Sequence, residues 1–279
     1  MVNQTNDNLP VIGAALPIES VEHLRDWLFD KDRDLELQDF VRPQVLESDW
    51  QEIVARYEKL LDGYQGRVGI HGLFFGLDMS VADPEVQAIV QKRYLQGLGV
   101  CEALGATQMV VHSPFTLWHH GNFDNGGWLK DHLFECCHTV LAPVVKRAEN
   151  IGCELVIENI QDVDPYERVR LAESFDSNLV RVSIDTGHAQ WAHKATGAPP
   201  VDYFLKAAGK HLAHVHLQDA DGFADRHWLP GSGTILWPAF FEALRDHADK
   251  PRLVVEVLGK YHADIPACVA RFEAEGLAQ

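Results

Sequence analysis

The chain has 279 residues, of which 24 are Lys or Arg and 41 are Asp or Glu, so its formal net charge is −17. Its 46% hydrophobic and 23% charged residues are an ordinary globular composition, which excludes a wholly disordered chain. The length suits a single α/β barrel, and no apolar run reaches the ~18–20 residues that a membrane span needs.

A polar tail, residues 1–10, comes first and lacks the basic start and apolar stretch of a secretory signal. After it, short Val/Ile/Leu-rich runs alternate with amphipathic helical stretches to the end of the chain. These runs predict eight strands, at 11–16, 34–38, 67–71, 108–112, 154–158, 181–185, 213–217 and 253–257. Such continuous apolar runs are typical of parallel strands that are covered on both faces.

Two of the intervening helices have clear limits. Asp83 is the expected N-cap of the first, Pro84 suits its first position, and Gly105 ends it. Its expected apolar stripe consists of Val86, Ile89, Val90, Leu98, Cys101 and Leu104. The second helix, around 133–149, contains Pro143, which we expect to kink it or divide it in two.

The alternation of eight strands with helices predicts a closed (β/α)₈ TIM barrel that forms one domain over 11–279. No linker or shift in composition marks a second domain. A doubly wound open sheet is the alternative, and the absence of a GxGxxG turn after the first strand weakens it.

Polar side chains gather where the predicted strands end, and in a barrel these ends form one mouth. They are His71, His112, Glu158, Asp185, His188, His216, Asp225, His227 and Glu256. Burying so many acids and imidazoles without a counter-charge is costly, so the pattern predicts a divalent metal ion. His214 and His216 share one strand face, and His216, nearer the mouth, is the expected ligand. His214 is expected to be a second-layer group or core residue.

Seven motifs carry a family resemblance. They are HG at 71–72, VHSP at 111–114, VIEN at 156–159, SIDTGH at 183–188, HVHLQD at 214–219, DRH at 225–227 with PGSG at 230–233, and VVE at 254–256. In this order they resemble the xylose isomerase-like TIM barrel superfamily over nearly the whole chain. This superfamily includes the sugar phosphate isomerase/epimerase family and endonuclease IV.

The resemblance implies a metal site. In the sugar isomerase branch, one divalent ion is held by residues that correspond to Glu158, Asp185, His216 and Glu256. In the endonuclease branch, three zinc ions also use the counterparts of His71, His112, His188, Asp225 and His227. Because this sequence contains both sets, the ligand motif does not separate the branches. The oxygen-rich set suits Mn²⁺, Mg²⁺ or Co²⁺, and the histidines suit Zn²⁺; we expect Mn²⁺ or Zn²⁺.

The loops after the strands favour a sugar-like substrate. Their basic residues are few: Lys194, Arg226 and Lys260. A phosphodiester backbone needs more positive charge, so we expect no nucleic acid partner. The same loops are rich in aromatic rings, which suit the faces of a sugar. The residues expected to contact substrate are Phe74, Trp118, Trp191 and Arg226.

The resulting hypothesis is an isomerase or epimerase of a small sugar or keto-polyol, acting by proton transfer through a metal-stabilised enediolate. Glu158 and Glu256 would move the proton, and His188 would hydrogen-bond the substrate. An endonuclease IV-like metallophosphodiesterase and a keto-sugar or polyol dehydratase remain alternatives. Five cysteines without a CxxC pair favour a cytoplasmic protein. No membrane partner is expected, and a homo-oligomer is compatible with the sequence.

Overall fold

Eight parallel strands close into a barrel in the computed structural model, which describes residues 9–279. Each strand pairs with its neighbour in sequence, and β1 pairs with β8 to complete the ring. The strands are β1 (Gly13–Leu16), β2 (Leu35–Leu37), β3 (Val68–His71), β4 (Gln108–His112), β5 (Glu154–Glu158), β6 (Val180–Asp185), β7 (Leu212–Leu217) and β8 (Arg252–Val255). The predicted (β/α)₈ fold is therefore confirmed. Most of the predicted tail, residues 1–8, lies outside the described residues.

Helices surround this barrel. They are α1 (Ile18–Asp30), α2 (Pro43–Leu46), α3 (Trp50–Leu60), α4 (Pro84–Leu104), α5 (Leu117–Asn122), α6 (Trp128–Ile151), α7 (Pro165–Ser174), α8 (Thr186–Thr196), α9 (Val201–Ala208), α10 (Trp237–His247) and α11 (Ile265–Ala274). The main hydrophobic core lies between them and the strands. Within residues 9–279, no helix combines the length and the apolar character needed to cross a bilayer. The five cysteines are buried and unpaired.

A small apolar layer underlies the mouth of the barrel. Val110, Val156 and Ala213 form a cluster of their own, separate from the main core. Val110 and Val156 lie two residues before His112 and Glu158, so each pair shares one face of its strand. The polar side chains of the mouth therefore stand directly above an apolar floor.

Helix α4 begins and ends as predicted, but its first turns are not part of the core. Asp83 Oδ1 accepts a hydrogen bond of 2.8 Å from the backbone of Glu85, and Gly105 has a left-handed φ of 65°. Val86 and Ile89 are 40% and 52% exposed, so the predicted apolar stripe is wrong at these two positions. Only from Val90 onward does the helix pack against the barrel.

Pro143 does not divide α6, which runs unbroken from Trp128 to Ile151. A proline in a helix deprives the carbonyl four residues earlier of its hydrogen bond. Here that carbonyl belongs to Thr139, and Gln91 Nε2 on the neighbouring α4 lies 3.4 Å from it. A side chain from a packed helix thus replaces the missing donor, and this is why the expected break does not occur.

Candidate metal centre

Four side chains converge in the mouth of the barrel. They are Glu158, Asp185, His216 and Glu256, and we refer to them as the four-residue cluster. Each offers one oxygen or nitrogen atom, and these atoms all lie within 4.8 Å of one another. Strand pairing explains the convergence, because Asp185 on β6 stands beside His216 on β7, and Glu256 directly follows β8.

The four-residue cluster has the chemistry of a divalent-cation site. Glu158 is 1% exposed, and its Oε2 has no hydrogen-bond partner within the described part of the chain. His216 Nδ1 lies 3.0 Å from Glu158 Oε1 and 3.5 Å from Glu256 Oε2. Buried carboxylates so close together need a positive charge among them. Because oxygen and imidazole ligands in this number suit a divalent ion, the residues fit the group that the sequence predicts.

A second group of possible ligands shares Glu158 with the four-residue cluster. His71 Nε2 and His112 Nε2 each lie 3.6 Å from Glu158 Oε2, the oxygen without a hydrogen-bond partner. Phe74 stacks on the ring of His112 with 4.5 Å between the ring centres. The ends of β3 and β4 therefore bring two imidazoles and an aromatic ring to the same carboxylate.

A third group lies on the opposite flank and is formed by His188, Asp225 and His227. Asp225 Oδ2 lies 3.3 Å from His188 Nε2 and 3.2 Å from His227 Nε2. His188 Nδ1 lies 2.8 Å from the carbonyl oxygen of Asn159, so this nitrogen carries the proton. The loop after β7 thus folds back onto α8, and Gly222 in this loop has a φ of 80°.

Burial and neighbouring carboxylates act in opposite directions on the pKa of His216. Burial alone would lower the pKa of His216, but Glu256, Glu36 and Glu158 together raise it well above its usual value. Burial raises the pKa of Asp185 to about 6. Without an ion, these carboxylates therefore favour the protonated form of the His216 imidazole.

Glu36 on strand β2 and Gln38, the residue directly after this strand, are two further polar side chains of the mouth that the sequence motifs did not indicate. Glu36 Oε1 lies 3.0 Å from His216 Nε2, and Glu36 Oε2 lies 3.2 Å from His214 Nε2. Gln38 Nε2 donates to Glu36 Oε1 at 3.0 Å and to Glu256 Oε1 at 2.8 Å. The signal was present, since Glu36 and Gln38 alternate with leucines and so share the face of β2 that points into the barrel.

Two buried amides fix the ends of β5, β6 and β7 relative to one another. Asn159 accepts a hydrogen bond of 2.9 Å from the backbone N–H of Asp185 and donates to its carbonyl at 3.0 Å. Gln218 Nε2 donates to Asp185 Oδ1 at 3.1 Å and to Asp225 Oδ1 at 3.0 Å. Gln218 thereby joins the four-residue cluster to the loop that carries Asp225.

The residues predicted to contact substrate occupy different surroundings. Phe74 lies against the second group of ligands, and Trp118 on α5 is 60% exposed. Trp191 packs against the hydrophobic core from α8. Arg226 is paired with Asp221, with 2.8 Å between Nη2 and Oδ2. The structure therefore brings Phe74 to the polar mouth, whereas Trp191 packs on the core and Arg226 contacts Asp221 and the rings of Phe223 and Trp228.

Comparison with known proteins supports the same assignment of family. A model described as xylose isomerase-like TIM barrel matches residues 26–277. Fructoselysine 3-epimerase of Escherichia coli O157:H7 is 30% identical over 138 residues, which cover 44% of this chain and 42% of that protein. The chain spans roughly half the length of the curated relatives it matches, from 41% to 63%.

Two solved structures match along almost the whole chain. The TTHB071 protein of Thermus thermophilus, from a crystal soaked with ZnCl₂, is 26% identical with a TM-score of 0.71, covering 94% of this chain and 96% of that one. A D-tagatose 3-epimerase-like protein is 16% identical with a TM-score of 0.70, covering 95% and 98%. At this low identity the second likeness shows the fold alone.

Proposed function

The chain belongs to the xylose isomerase-like TIM barrel family of enzymes, and we propose that it is a divalent-metal-dependent epimerase or isomerase of a small ketose-like substrate. The observation that carries this proposal is the convergence of Glu158, Asp185, His216 and Glu256, whose ligand atoms all lie within 4.8 Å of one another. The epimerase relatives support the reaction class, and Mn²⁺ or Zn²⁺ are the ions that best suit this set.

Epimerisation beside a carbonyl removes a proton from carbon and returns one from the other face. A divalent ion, when bound, supplies electrostatic stabilisation of the negative charge that develops on adjacent substrate oxygens. Two carboxylates in the mouth can exchange the proton. Glu158 ends β5 and Glu256 directly follows β8, so they lie on different sides of the barrel. Their contact with His216 Nδ1 at 3.0 and 3.5 Å places both beside the same point in the mouth.

His188 and Phe74 have supporting roles in this proposal. Because His188 Nδ1 donates to the carbonyl of Asn159, its Nε2 is left to meet a substrate oxygen near Asp225. Phe74 stacks on the rings of His112 and Phe75, with 4.5 and 4.2 Å between ring centres, and so adds apolar surface beside the mouth that a sugar can contact. We also propose that Trp118, Trp191 and Arg226 contact the substrate, because they follow the ends of β4, β6 and β7.

The loops around the mouth support a neutral substrate over a phosphorylated one. Arg226, the one basic residue in the loop after β7, is paired with Asp221, so its charge is already compensated. Lys260, after β8, lies 4.7 Å from the ring centre of Tyr261. A site that grips phosphate needs positive groups that are free to meet it.

Assays in D₂O test the proposal directly. Protein purified without chelator is analysed for metals, loaded with Mn²⁺ and incubated with a panel of ketohexoses and fructoselysine. We expect a C-epimer or isomer that carries solvent deuterium at the altered carbon, because a carboxylate exchanges its proton with water. Glu158→Gln and Glu256→Gln should lose this activity. Glu154→Gln, a change of the same kind at the opposite end of β5, should retain it. A product lighter by one water would instead identify a dehydratase.

One observation favours a second candidate function, an endonuclease IV-like metallophosphodiesterase. The groups His71–His112–Glu158 and His188–Asp225–His227 could each hold a further ion beside the four-residue cluster. Phosphodiester hydrolysis uses such multi-metal clamps. Incision of a duplex with an abasic site by the Zn²⁺-loaded protein would support this function, and three ions per chain without incision would remove its support.

A further inference from the structure

We propose that strand β2 is the positioning strand of the metal centre: Glu36 fixes the ring of His216 so that Nδ1 faces the ion, and Gln38 fixes the carboxylate of Glu256. Neither residue is expected to touch substrate, so both are positioning residues. The inference rests on the proposed function, since it needs an ion at the four-residue cluster.

The two nitrogens of His216 face different partners. Nδ1 points at Glu158 Oε1 and Glu256 Oε2, which are members of the four-residue cluster, whereas Nε2 lies 3.0 Å from Glu36 Oε1. A metal ligand must offer a lone pair, and a neutral imidazole then carries its proton on the other nitrogen. If Nδ1 meets the ion, Nε2 donates its proton to Glu36.

Glu36 can perform this task because its surroundings hold it in place. It is 3% exposed, and both of its oxygens have partners inside the barrel. Oε1 faces His216 and accepts from Gln38, while Oε2 lies 3.2 Å from His214 Nε2. His214 is itself fixed by a contact of 2.8 Å between Nδ1 and Ser183 Oγ. Strand β7 therefore carries two buried histidines that both lie beside Glu36.

Gln38 extends the same support to a second member of the cluster. Its Nε2 lies 3.0 Å from Glu36 Oε1 and 2.8 Å from Glu256 Oε1. Glu256 follows the short strand β8 and is only partly buried, so it has few other restraints. The other oxygen of Glu256, Oε2, is the one that lies toward His216 Nδ1. The amide of Gln38 thus links Glu36, which orients His216, to Glu256, which lies beside His216.

Carboxylates that accept the distal proton of a metal-bound imidazole orient the ring and make it a better donor, and their loss weakens metal binding by roughly 10- to 100-fold. Glu36→Gln keeps the shape of the side chain but removes its charge. Gln38→Met keeps the length but removes the donor to Glu256. Both variants should therefore bind the same number of ions per chain as the wild type, but with lower affinity.

The barrel provides matched controls at its other end. Gln108 Nε2 donates to Glu154 Oε2 at 2.8 Å, an amide–carboxylate pair at the first residues of β4 and β5. Glu154→Gln and Gln108→Met change the same chemical groups away from the four-residue cluster. They should bind metal with the affinity of the wild type, within roughly two-fold.

Calorimetric titration of the metal-free full chain with Mn²⁺ tests the proposal. The supporting result is a 10- to 100-fold higher Kd for Glu36→Gln and Gln38→Met, with unchanged stoichiometry and an unchanged far-UV circular dichroism spectrum. The visible spectrum of the Co²⁺-loaded protein should change in Glu36→Gln and not in Gln108→Met, because it reports the ligands around the ion. Should Glu36→Gln fail to fold, Gln38→Met decides alone.

Three outcomes overturn the proposal. If both β2 variants bind Mn²⁺ as tightly as the wild type, the strand has no positioning role while the proposed function survives. If Glu36→Gln loses one ion per chain and the remaining affinity is unchanged, Glu36 is a ligand of a separate ion with His214 and His216. If the wild type itself binds no divalent ion, the proposed function fails together with this inference.

Discussion

A methyl group at Gly187 would lie 2.1 Å from the side-chain oxygen of Gln218. Gln218 is fully buried and joins Asp185 to Asp225, so it cannot move aside without losing those hydrogen bonds. Because Gly187, the second residue of α8, has no side chain, the amide of Gln218 has room to hydrogen-bond both Asp185 and Asp225.

Gly187→Ala should weaken metal binding and destabilise the fold by about 1–3 kcal/mol, because the added carbon must displace Gln218. Denaturant unfolding and calorimetric titration with Mn²⁺ measure the two effects. Gly99→Ala is the matched control: Gly99 lies within α4, nothing lies within 4 Å of the added carbon, and alanine favours a helix by roughly 0.5–1 kcal/mol. If Gly187→Ala and Gly99→Ala had the same free energy of unfolding and the same Mn²⁺ affinity, the side chain of Gln218 would not be held tightly.

Removal of the ion should lower the stability of the protein. An ion that binds only the folded chain stabilises it by about 4 kcal/mol at a thousand times its Kd. We expect EDTA to lower the unfolding temperature and added Mn²⁺ or Zn²⁺ to restore it. Asp185→Asn, which removes one proposed ligand, should reduce the difference between the two conditions. A melting curve unaffected by EDTA in protein shown to contain metal would contradict this prediction.

Metal affinity should fall as the pH is lowered. The pKa values of Asp185 and His216 define the pH range of this fall. Asp185 has a pKa raised by burial to about 6, and the pKa of His216 lies well above its usual value in the metal-free protein. Both must lose a proton to bind an ion. Below pH 6 about two protons are therefore displaced for each ion, and at neutral pH about one. Titrations in buffers with different heats of ionisation count these protons, and an affinity independent of pH above 7 would be the contrary result.

The buried ion pair of Asp162 and Arg168 should contribute more to the free energy of unfolding than an ion pair on the surface. Arg168 is 1% exposed, its Nε lies 2.9 Å from Asp162 Oδ1, and the pair holds the loop after Glu158. Asp162→Asn leaves a buried charge without its partner, and we expect a loss of about 3 kcal/mol in the free energy of unfolding. Asp202→Asn, which breaks the surface pair with Lys206, should change the free energy of unfolding far less. Similar losses from both would contradict the argument.

The strands whose bounds the sequence predicted best have a continuous apolar middle, and β4 and β5 each begin and end with a polar residue. The bounds predicted for β4 and β5 agree with the structure to the residue, since these runs are buried between the helices and the barrel interior. Strand β2 is only three residues long and alternates polar with apolar side chains. Alternation of this kind shows which face carries the polar groups, but not that Glu36 would meet His216 from the opposite side of the barrel.

The sequence also could not show how local rules are overridden by packing. Pro143 signals a break, and the break is absent because Gln91 of another helix lies beside the free carbonyl of Thr139. Val86 and Ile89 have helical spacing, yet the first turns of α4 are exposed. Both differences depend on which helix lies beside which, and this information is not contained in the spacing of residues along one segment.

Closure of the ring has a consequence for dissecting the protein. Glu158, Asp185, His216 and Glu256 all belong to the second half of the chain, so an excised half-barrel that starts at β5 would contain every member of the four-residue cluster. That fragment would lack Glu36 and Gln38, which reach His216 and Glu256 only because the ring closes. Recombining it with the complementary fragment that carries β1 to β4 would return these two side chains without any new covalent bond.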